Sequence, residues 1–145
     1  MAQTPSADWE VPAGGPSVRD MSTHGTSTHH AIDDVEIPFA DLEAAKAFYG
    51  SAFGWTFTDY GPAYVGFASN GTDEDGAEDG GFNPEGTPST TGPLVQVYSD
   101  DLDATLAAVT AAGGTITVEP FDFPGGRRFA LTDPAGNQLG AWSRG

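Results

Sequence analysis

The chain has 145 residues, 38% of them hydrophobic and 11% aromatic, which is enough for one globular domain or two small modules sharing a core. Its 21 acidic residues outnumber its 5 basic residues and give a net charge of −16. Phosphate groups and anionic lipids are bound by clustered Lys and Arg, so this balance argues against nucleic-acid and membrane partners. The absence of cysteine excludes disulfides, thiol nucleophiles and zinc–thiolate sites, and it fits a cytoplasmic protein.

The first 30 residues are rich in Pro, Gly, Ser and Thr and show no periodicity, so they predict a flexible N-terminal tail followed by a domain over residues 31–145. His29 and His30 are adjacent at the end of this tail. Neighbouring strand residues point to opposite faces and do not chelate one ion easily. We therefore expect solvated histidines here rather than a metal site.

Residues Ile32–Phe39 predict the first strand. Its alternation places Val35 and Ile37 on the face that meets a helix. Asp34 and Glu36 then share the opposite face, toward solvent or a cavity.

The following stretch, Ala40–Trp55, predicts a short amphipathic helix. Asp41 is placed to cap its N-terminus, and Gly54 is suited to the left-handed conformation that ends a helix. The apolar face is expected to consist of Leu42, Ala45, Tyr49, Ala52 and Phe53.

Three further strands are predicted in the first half of the chain, and their ranges are Trp55–Asp59, Ala63–Ala68 and Glu78–Phe82. The acidic stretch 69–76 resembles part of a calcium loop, but it lacks the full EF-hand spacing and the terminal Glu. We interpret it as an acidic surface loop. Residues 83–92 are rich in Pro, Gly and Thr and predict a connector.

The second half of the chain repeats the first at an offset of 60 residues. Asp101-Leu102-Asp103-Ala104 matches Asp41-Leu42-Glu43-Ala44, and the same offset relates Val95 to Val35 and Gly114 to Gly54. A repeat of this kind predicts two copies of one supersecondary unit. The second copy is expected to contain a strand at Leu94–Tyr98, a helix at Leu102–Ala112 buried through Leu102, Leu106 and Val109, a strand at Thr115–Val118, and a hairpin of Arg127–Thr132 with Gln138–Trp142.

This pattern resembles the vicinal oxygen chelate superfamily, which includes glyoxalase I, bleomycin-resistance proteins and extradiol dioxygenases. The resemblance covers about residues 31–143 and is carried by Asp41-Leu42…Phe48-Tyr49…Phe53-Gly54-Trp55, by Asp101-Leu102…Gly113-Gly114, and by the hairpin Asp133-Pro134-Ala135-Gly136-Asn137. It implies an α+β fold in which two paired βαβββ modules, about 31–83 and 93–143, form a curved half-barrel sheet around a cavity. Residues 125–130 are most similar to the glyoxalase-like antigen-type proteins of actinobacteria.

Metal-bearing members of this superfamily hold their ion with four ligands, mostly His and Glu. The resemblance places those positions at Asp34, near Gly80, near Leu94 and at Gly140. A metal site needs three or four converging donors, and Leu and Gly supply none. We therefore predict no glyoxalase-type metal centre and no cofactor. The alternative is a displaced site built from His30, Asp34 and Glu36.

The cavity that the resemblance implies has an aromatic lining with a few polar groups, as small-molecule pockets usually do. Arg128 is expected either to pair with an acid such as Glu36 or to hold a substrate carboxylate. Asp34 and Glu36 are the candidate general bases. Their structural alternatives are an ion pair for Arg128, a solvated strand face for the acids and a core position for Trp142. The predicted ligand-binding set is Asp34, Glu36, Tyr64, Leu94, Gln96, Tyr98, Arg128, Gln138 and Trp142.

Three functions follow from this interpretation. The first is metal-free binding of a small organic molecule in the inter-module cavity, as a resemblance to bleomycin-resistance proteins implies. The second is a lyase or other enzyme of the superfamily that uses Asp34, Glu36 or a non-standard metal site. The third is a sheet that serves only for dimerisation. The resemblance also implies a homodimer, and we expect a small-molecule ligand as the partner.

Overall fold

The computed structural model describes residues 28–62, 64–70 and 78–144, and within these ranges the chain forms eight strands and two helices. The α+β class predicted from the sequence is confirmed. The elements in chain order are β1 (Val35–Pro38), α1 (Leu42–Phe53), β2 (Thr56–Asp59), β3 (Val65–Ala68), β4 (Gly80–Asn83), β5 (Val95–Tyr98), α2 (Leu102–Ala111), β6 (Thr115–Phe123), β7 (Gly126–Thr132) and β8 (Gln138–Ser143).

The strands form two four-stranded sheets with the same strand order. The first sheet has the order β1-β4-β3-β2 and the second has the order β5-β8-β7-β6, so each places its first strand beside its last. β1 and β5 begin 60 residues apart, as do α1 and α2. The predicted internal repeat is therefore a repeat of topology, and each half is a βαβββ module.

The two helices begin with the same cap. The side chain of Asp41 accepts a hydrogen bond from the backbone N–H of Ala44 at 3.3 Å, and Asp101 accepts one from Ala104 at 3.1 Å. Each bond satisfies an N–H that has no partner within the helix. Gly54 ends α1 in the left-handed conformation, with φ 77°, as predicted.

The chain divides into two compact units. One contains the residues up to Ile37 together with Trp55–Pro84, and the other contains Pro38–Gly54 together with the residues from Glu85 onward. α1 therefore belongs to the same compact unit as the second sheet, and the first sheet forms the other unit.

The first unit is held together by aromatic rings on one face of its sheet. Val65 is paired in register with Phe82, and Phe57 is paired with Phe67. The rings of Trp55 and Phe67 stack with centroids 4.6 Å apart, and the ring of Phe82 lies 5.4 Å from Phe67. All of these side chains except Phe57 are buried, so they constitute the core of this unit.

In the second unit, α1 packs against α2, and α2 packs against β6 and β8. A Cβ at Gly114 would lie 2.7 Å from Val109 and 3.0 Å from Phe48, so a glycine is needed for this close approach. The buried side chains of this unit are Phe48, Tyr49, Ala52, Leu102, Val109, Phe129, Leu131, Leu139 and Ala141.

Several sequence-based expectations need correction. The first strand begins at Val35 rather than Ile32, which is 92% exposed, so Asp34 precedes the strand instead of sharing its alternation with Glu36. The buried face of α1 includes Phe48, which lies outside the predicted apolar set, and Leu106 of α2 is only half-buried.

The two histidines lie in a turn, with His30 at φ 66°, and their rings stack at 3.8 Å instead of pointing to opposite faces. The strand geometry expected for them does not apply in this turn. The predicted tail falls mostly on residues 1–27, and the acidic loop mostly on 71–77, both outside the described residues.

The largest difference concerns β6. The sequence predicts a strand that ends at Val118, but β6 continues to Phe123 and pairs with β7 along its length. The register shifts between Ile116 and Val118 and again between Val118 and Phe121. Such irregularities change which face a residue occupies, so a simple alternation rule does not follow the strand to its end.

Candidate ligand-binding face

The predicted ligand-binding residues are divided between the two compact units. Asp34, Glu36 and Tyr64 lie in the first unit. The other six lie in the second unit, and they are Leu94, Gln96, Tyr98, Arg128, Gln138 and Trp142. The inter-module cavity therefore stays a prediction, and the contacts of each group are those within its own unit.

In the first unit, the sheet face opposite the aromatic core is covered by tyrosine–glutamate pairs. The hydroxyl of Tyr64 donates to Glu36 at 3.1 Å, and the hydroxyl of Tyr60 donates to Glu78 at 2.8 Å. A Cβ at Gly81 would meet the Tyr64 hydroxyl, which lies over that glycine. The space left by the missing side chain is thus filled by the protein's own polar groups. Asp34 is exposed and lies before the strand.

In the second unit, strand register places five of the predicted residues on one face of the sheet. Tyr98 and Arg128 are the neighbours of Trp142 on either side, and Gln96 is the neighbour of Gly140. Four residues that alternate with them are buried on the opposite face, namely Phe129, Leu131, Leu139 and Ala141. Gln138 shares the parity of Trp142, whereas Leu94 precedes β5 and is 43% exposed. We call the side that carries Trp142 the open face.

Four aromatic rings and two arginines occupy this open face as a continuous row, which we call the aromatic–arginine strip. The ring of Trp142 lies 5.0 Å from Tyr98 on one side and 6.2 Å from Phe123 on the other. The members of the strip are Tyr98, Phe121, Phe123, Arg128, Trp142 and Arg144.

Both arginines of the strip stack on aromatic rings. The Arg128 guanidinium carbon lies 5.2 Å from the ring centroids of both Phe121 and Phe123. The Arg144 guanidinium carbon lies 5.1 Å from the centroid of Tyr98 and 5.5 Å from that of Trp142. These distances are within the range of cation–π attraction. Each guanidinium is therefore held by two rings from the strip.

Within the part of the chain that the structure describes, neither guanidinium of the strip has an ion pair or a hydrogen bond. The neighbouring Arg127 differs, because it lies 3.9 Å from a carboxylate oxygen of Asp103 and 3.6 Å from one of Asp122. The expected ion pair of Arg128 with an acid is thus replaced by stacking. Among the described residues, Arg128 and Arg144 thus lack a carboxylate partner, although the chain has 21 acidic residues.

Three members of the strip lie outside the set predicted from the sequence. A strand ending at Val118 leaves out Phe121 and Phe123, and Arg144 follows the last predicted strand. The sequence does hold one signal for the first two: they are two residues apart and therefore share a strand face. The two-residue turn at Pro124-Gly125 then places them beside Arg128.

Comparison with known proteins identifies the family. Residues 30–140 match the model of the Glyoxalase/Bleomycin resistance protein/Dioxygenase superfamily. The chain belongs to this superfamily. Because the match spans both modules, the resemblance inferred from the sequence is confirmed.

Among its relatives, the chain is 33% identical over 116 residues to CFP32 of Mycobacterium bovis, whose name describes it as a candidate glyoxylase. It is 32% identical over 122 residues to the anthracycline biosynthesis protein DnrV of Streptomyces peucetius. These alignments cover 74% and 72% of this chain but only 43% and 44% of the relatives. The chain thus spans less than half of the length of these two relatives.

The solved structures include TnmS3, an antibiotic binding protein from Streptomyces sp. CB03234. It superposes with a TM-score of 0.60 at 22% identity, over 83% of this chain and 100% of that one. At this level of identity the comparison supports the fold.

The superfamily implies a metal centre in some members, and the four equivalent positions of this chain do not fit one. A side chain at Gly80 would collide with the backbone carbonyl of Val35. Gly140 is covered by the Gln96 side chain, whose amide oxygen would lie 2.9 Å from a Cβ there. Leu94 has no donor atom. In the described residues, no three His, Asp or Glu side chains form a group able to hold an ion, the displaced set of His30, Asp34 and Glu36 included.

A buried polar cluster supports the second unit from behind the open face. One carboxylate oxygen of Asp133 accepts backbone N–H bonds from Ala135, Gly136 and Asn137 at 2.9–3.0 Å. The other oxygen accepts the Tyr49 hydroxyl at 2.7 Å and the Asn137 side-chain amide at 2.9 Å. This cluster connects the turn between β7 and β8 to helix α1. Burial, followed by the charge of Asp133 and the hydrogen bond to it, raises the pKa of Tyr49.

This raised pKa predicts a pH dependence of stability. Above pH ~10, the tyrosine ionises in the unfolded chain but stays protonated in the folded chain. The folded state then binds more protons, so the free energy of unfolding is expected to fall as pH rises, by up to about 1.4 kcal/mol per pH unit. The measurement is urea denaturation at pH 8, 10 and 11.

Tyr49→Phe should flatten this alkaline decline, because the variant has no hydroxyl to ionise. Tyr98→Phe is the matched control, since Tyr98 is 45% exposed and its loss should leave the decline in place. Equal slopes for the two variants would show that Tyr49 is not the responsible group.

Proposed function

We propose that this chain binds a small organic molecule with an aromatic ring system, without a metal ion, on the open face of the second sheet. The observation that carries the proposal is the exposure of the strip. Tyr98 is 45% exposed and Phe121 is 40% exposed, although large aromatic side chains are usually buried. A contiguous exposed aromatic surface with a few polar groups is typical of a ligand site.

The strip suits a flat ligand because its rings are already positioned. Trp142, Tyr98 and Phe123 pack edge-to-face or tilted against one another, and Arg128 and Arg144 add planar groups at either side. A ligand ring placed against this surface gains stacking and apolar contact without first ordering mobile side chains.

The named relatives support a binding function of this kind. TnmS3 is described as an antibiotic binding protein and DnrV as an anthracycline biosynthesis protein, and the superfamily's own name includes bleomycin resistance proteins. All three names associate this fold with small organic molecules. Three of the four family-equivalent metal positions, Gly80, Leu94 and Gly140, lack side-chain donors, which supports binding rather than metal-dependent chemistry.

The proposal also includes a cytoplasmic location and a homodimer. The cysteine-free composition supports the first, and the superfamily resemblance supports the second. No helix in the described residues combines the length and apolarity required to cross a bilayer. Asp34, Glu36 and Tyr64 stay proposed contributors from the first unit.

The test is a titration followed by the indole N–H signals of the chain's three tryptophans, assigned with Trp142→Phe. With a neutral probe, 2-naphthol, the Trp142 signal should shift saturably. The Trp55 signal is the internal control and should stay in place, because that ring is buried against Phe67 in the first unit. Trp142→Ala should weaken binding about 3- to 10-fold, the effect of losing one aromatic pair.

Two results would contradict the proposal. One is an equal shift of the Trp55 and Trp142 signals, which would indicate non-specific association. The other is an unchanged affinity in Trp142→Ala, which would place the probe elsewhere on the protein.

A further inference from the structure

We propose that the ligand of the aromatic–arginine strip is a planar aromatic anion, such as a ring system bearing a carboxylate. Its ring would lie against Tyr98 and Trp142, and its negative group would be bound by Arg128 and Arg144. This inference rests on the proposed binding function and adds the chemical class of the ligand.

The geometry of the guanidinium group supports an anionic ligand. A guanidinium is planar, and its five N–H donors lie in its plane and point outward. The guanidinium carbon of Arg128 lies over the rings of Phe121 and Phe123, and that of Arg144 lies over the rings of Tyr98 and Trp142. The donors at the edges stay available for a group that lies beside the rings.

The guanidinium donors of Arg128 and Arg144 have no competing partner in the described residues. A carboxylate accepts two parallel N–H bonds from one guanidinium, in a pairing that is stronger than one between neutral groups. An aromatic carboxylate would therefore contact both kinds of residue in the strip at once. Its ring would lie on the aromatic side chains, and its oxygens would accept hydrogen bonds from the arginines.

The distribution of charged residues over the chain also bears on the class of ligand. The chain has a net charge of −16, so its overall field favours cations over anions. The strip concentrates two of the five basic residues on one sheet face, Arg128 and Arg144. At physiological salt the field of distant acids is screened beyond about 8 Å, whereas a contact at the strip is not. The two arginines of the strip thus predict a preference for anionic ligands, whereas the net charge of the chain predicts a preference for cations. A measurement decides between them.

The experiment compares three probes that share one ring system, namely 2-naphthoate, neutral 2-naphthamide and the cation 2-naphthylmethylammonium. Affinities are measured for the full chain at 0.15 M salt by calorimetry and by the Trp142 indole signal. We expect 2-naphthoate to bind about tenfold more tightly than the amide, because each charge-assisted hydrogen bond is stronger than a neutral one. The ammonium probe should bind most weakly.

The variants Arg128→Gln and Arg144→Gln should each reduce the preference for naphthoate over the amide about threefold to fivefold. Arg127→Gln is a matched control: it removes the same charge from the adjacent position of β7, but its guanidinium is paired with Asp103 and Asp122. In this control both the preference and the affinity for the neutral amide should be unchanged.

The outcomes separate this inference from the proposed function. If naphthoate and the amide bind equally and both shift the Trp142 signal, the binding function stands and the anion inference is wrong. A preference for the ammonium probe overturns it in favour of the global field, and an equal loss in Arg127→Gln overturns it in favour of general charge. If no probe shifts Trp142, both proposals fail. Conversion of a dimer to a monomer in Arg128→Gln and Arg144→Gln, seen by sedimentation without naphthoate binding, would assign the strip to a second copy of the chain and overturn the inference.

Discussion

Asp133→Ala is expected to lower the free energy of unfolding by about 3–5 kcal/mol, the largest stability effect that we predict for a side-chain truncation. The Asp133 carboxylate accepts three backbone N–H bonds from the turn that follows it, and bonds from Tyr49 and Asn137. Tyr49 is fully buried and Asn137 is 7% exposed, so both would lose a buried acceptor, although the Asn137 amide keeps its bond to the backbone oxygen of Pro38 at 2.7 Å. Urea denaturation at pH 7 measures the loss.

Asp103→Ala provides the control for this prediction. It removes the same type of side chain from the same unit, but Asp103 is 84% exposed and pairs with Arg127 at the surface. Its effect should stay within about 0.5 kcal/mol. A loss below about 1 kcal/mol for Asp133→Ala would mean that the turn and α1 hold their places without the carboxylate.

The second large effect is expected at Gly80. A Cβ added there would collide with the backbone carbonyl oxygen of Val35 and lie 2.8 Å from its carbonyl carbon. Backbone atoms of a paired strand cannot move aside as a side chain can, so β1 and β4 would have to separate. We expect Gly80→Ala to cost about 3 kcal/mol of stability in chemical denaturation.

The adjacent Gly81 is the natural comparison. The nearest atoms to a Cβ at Gly81 belong to the far end of the Tyr64 side chain, which can rotate away. Gly81→Ala should cost about 1 kcal/mol, since the principal loss is the hydrogen bond from Tyr64 to Glu36. Equal costs at the two glycines would show that β1 and β4 tolerate separation.

Much of the fold follows from local sequence signals. The 60-residue repeat predicts both βαβββ modules, and Asp41, Asp101 and Gly54 mark three helix ends that the structure confirms. These signals are readable because a cap or an αL residue depends on the few residues around it. The association of α1 with the second unit has no such local signal, because it depends on contacts with residues more than 80 positions away, such as Asp133.

The open face is harder to predict than the fold. Period-two alternation places Gln96, Tyr98 and Trp142 together, and strand pairing bears this out. The register shifts in β6 conceal Phe121 and Phe123, and the stacking of Arg128 depends on a hairpin partner rather than on its sequence neighbours. That the nine predicted residues bind one ligand stays a prediction.

The alternation along β7 and β8 has an evolutionary and practical consequence. On β7, Arg128 faces the open side, while Phe129 and Leu131 are 1% and 0% exposed beneath the helices. Residues proposed to contact a ligand therefore alternate along the same strands with residues of the buried core. Substitutions that retune the chemical preference of the open face are expected to be nearly independent of folding, and effects at separated positions of this kind usually add. The second sheet is thus a scaffold on which new specificities can accumulate one residue at a time, and a suitable starting point for an engineered sensor with Trp142 as its built-in fluorophore.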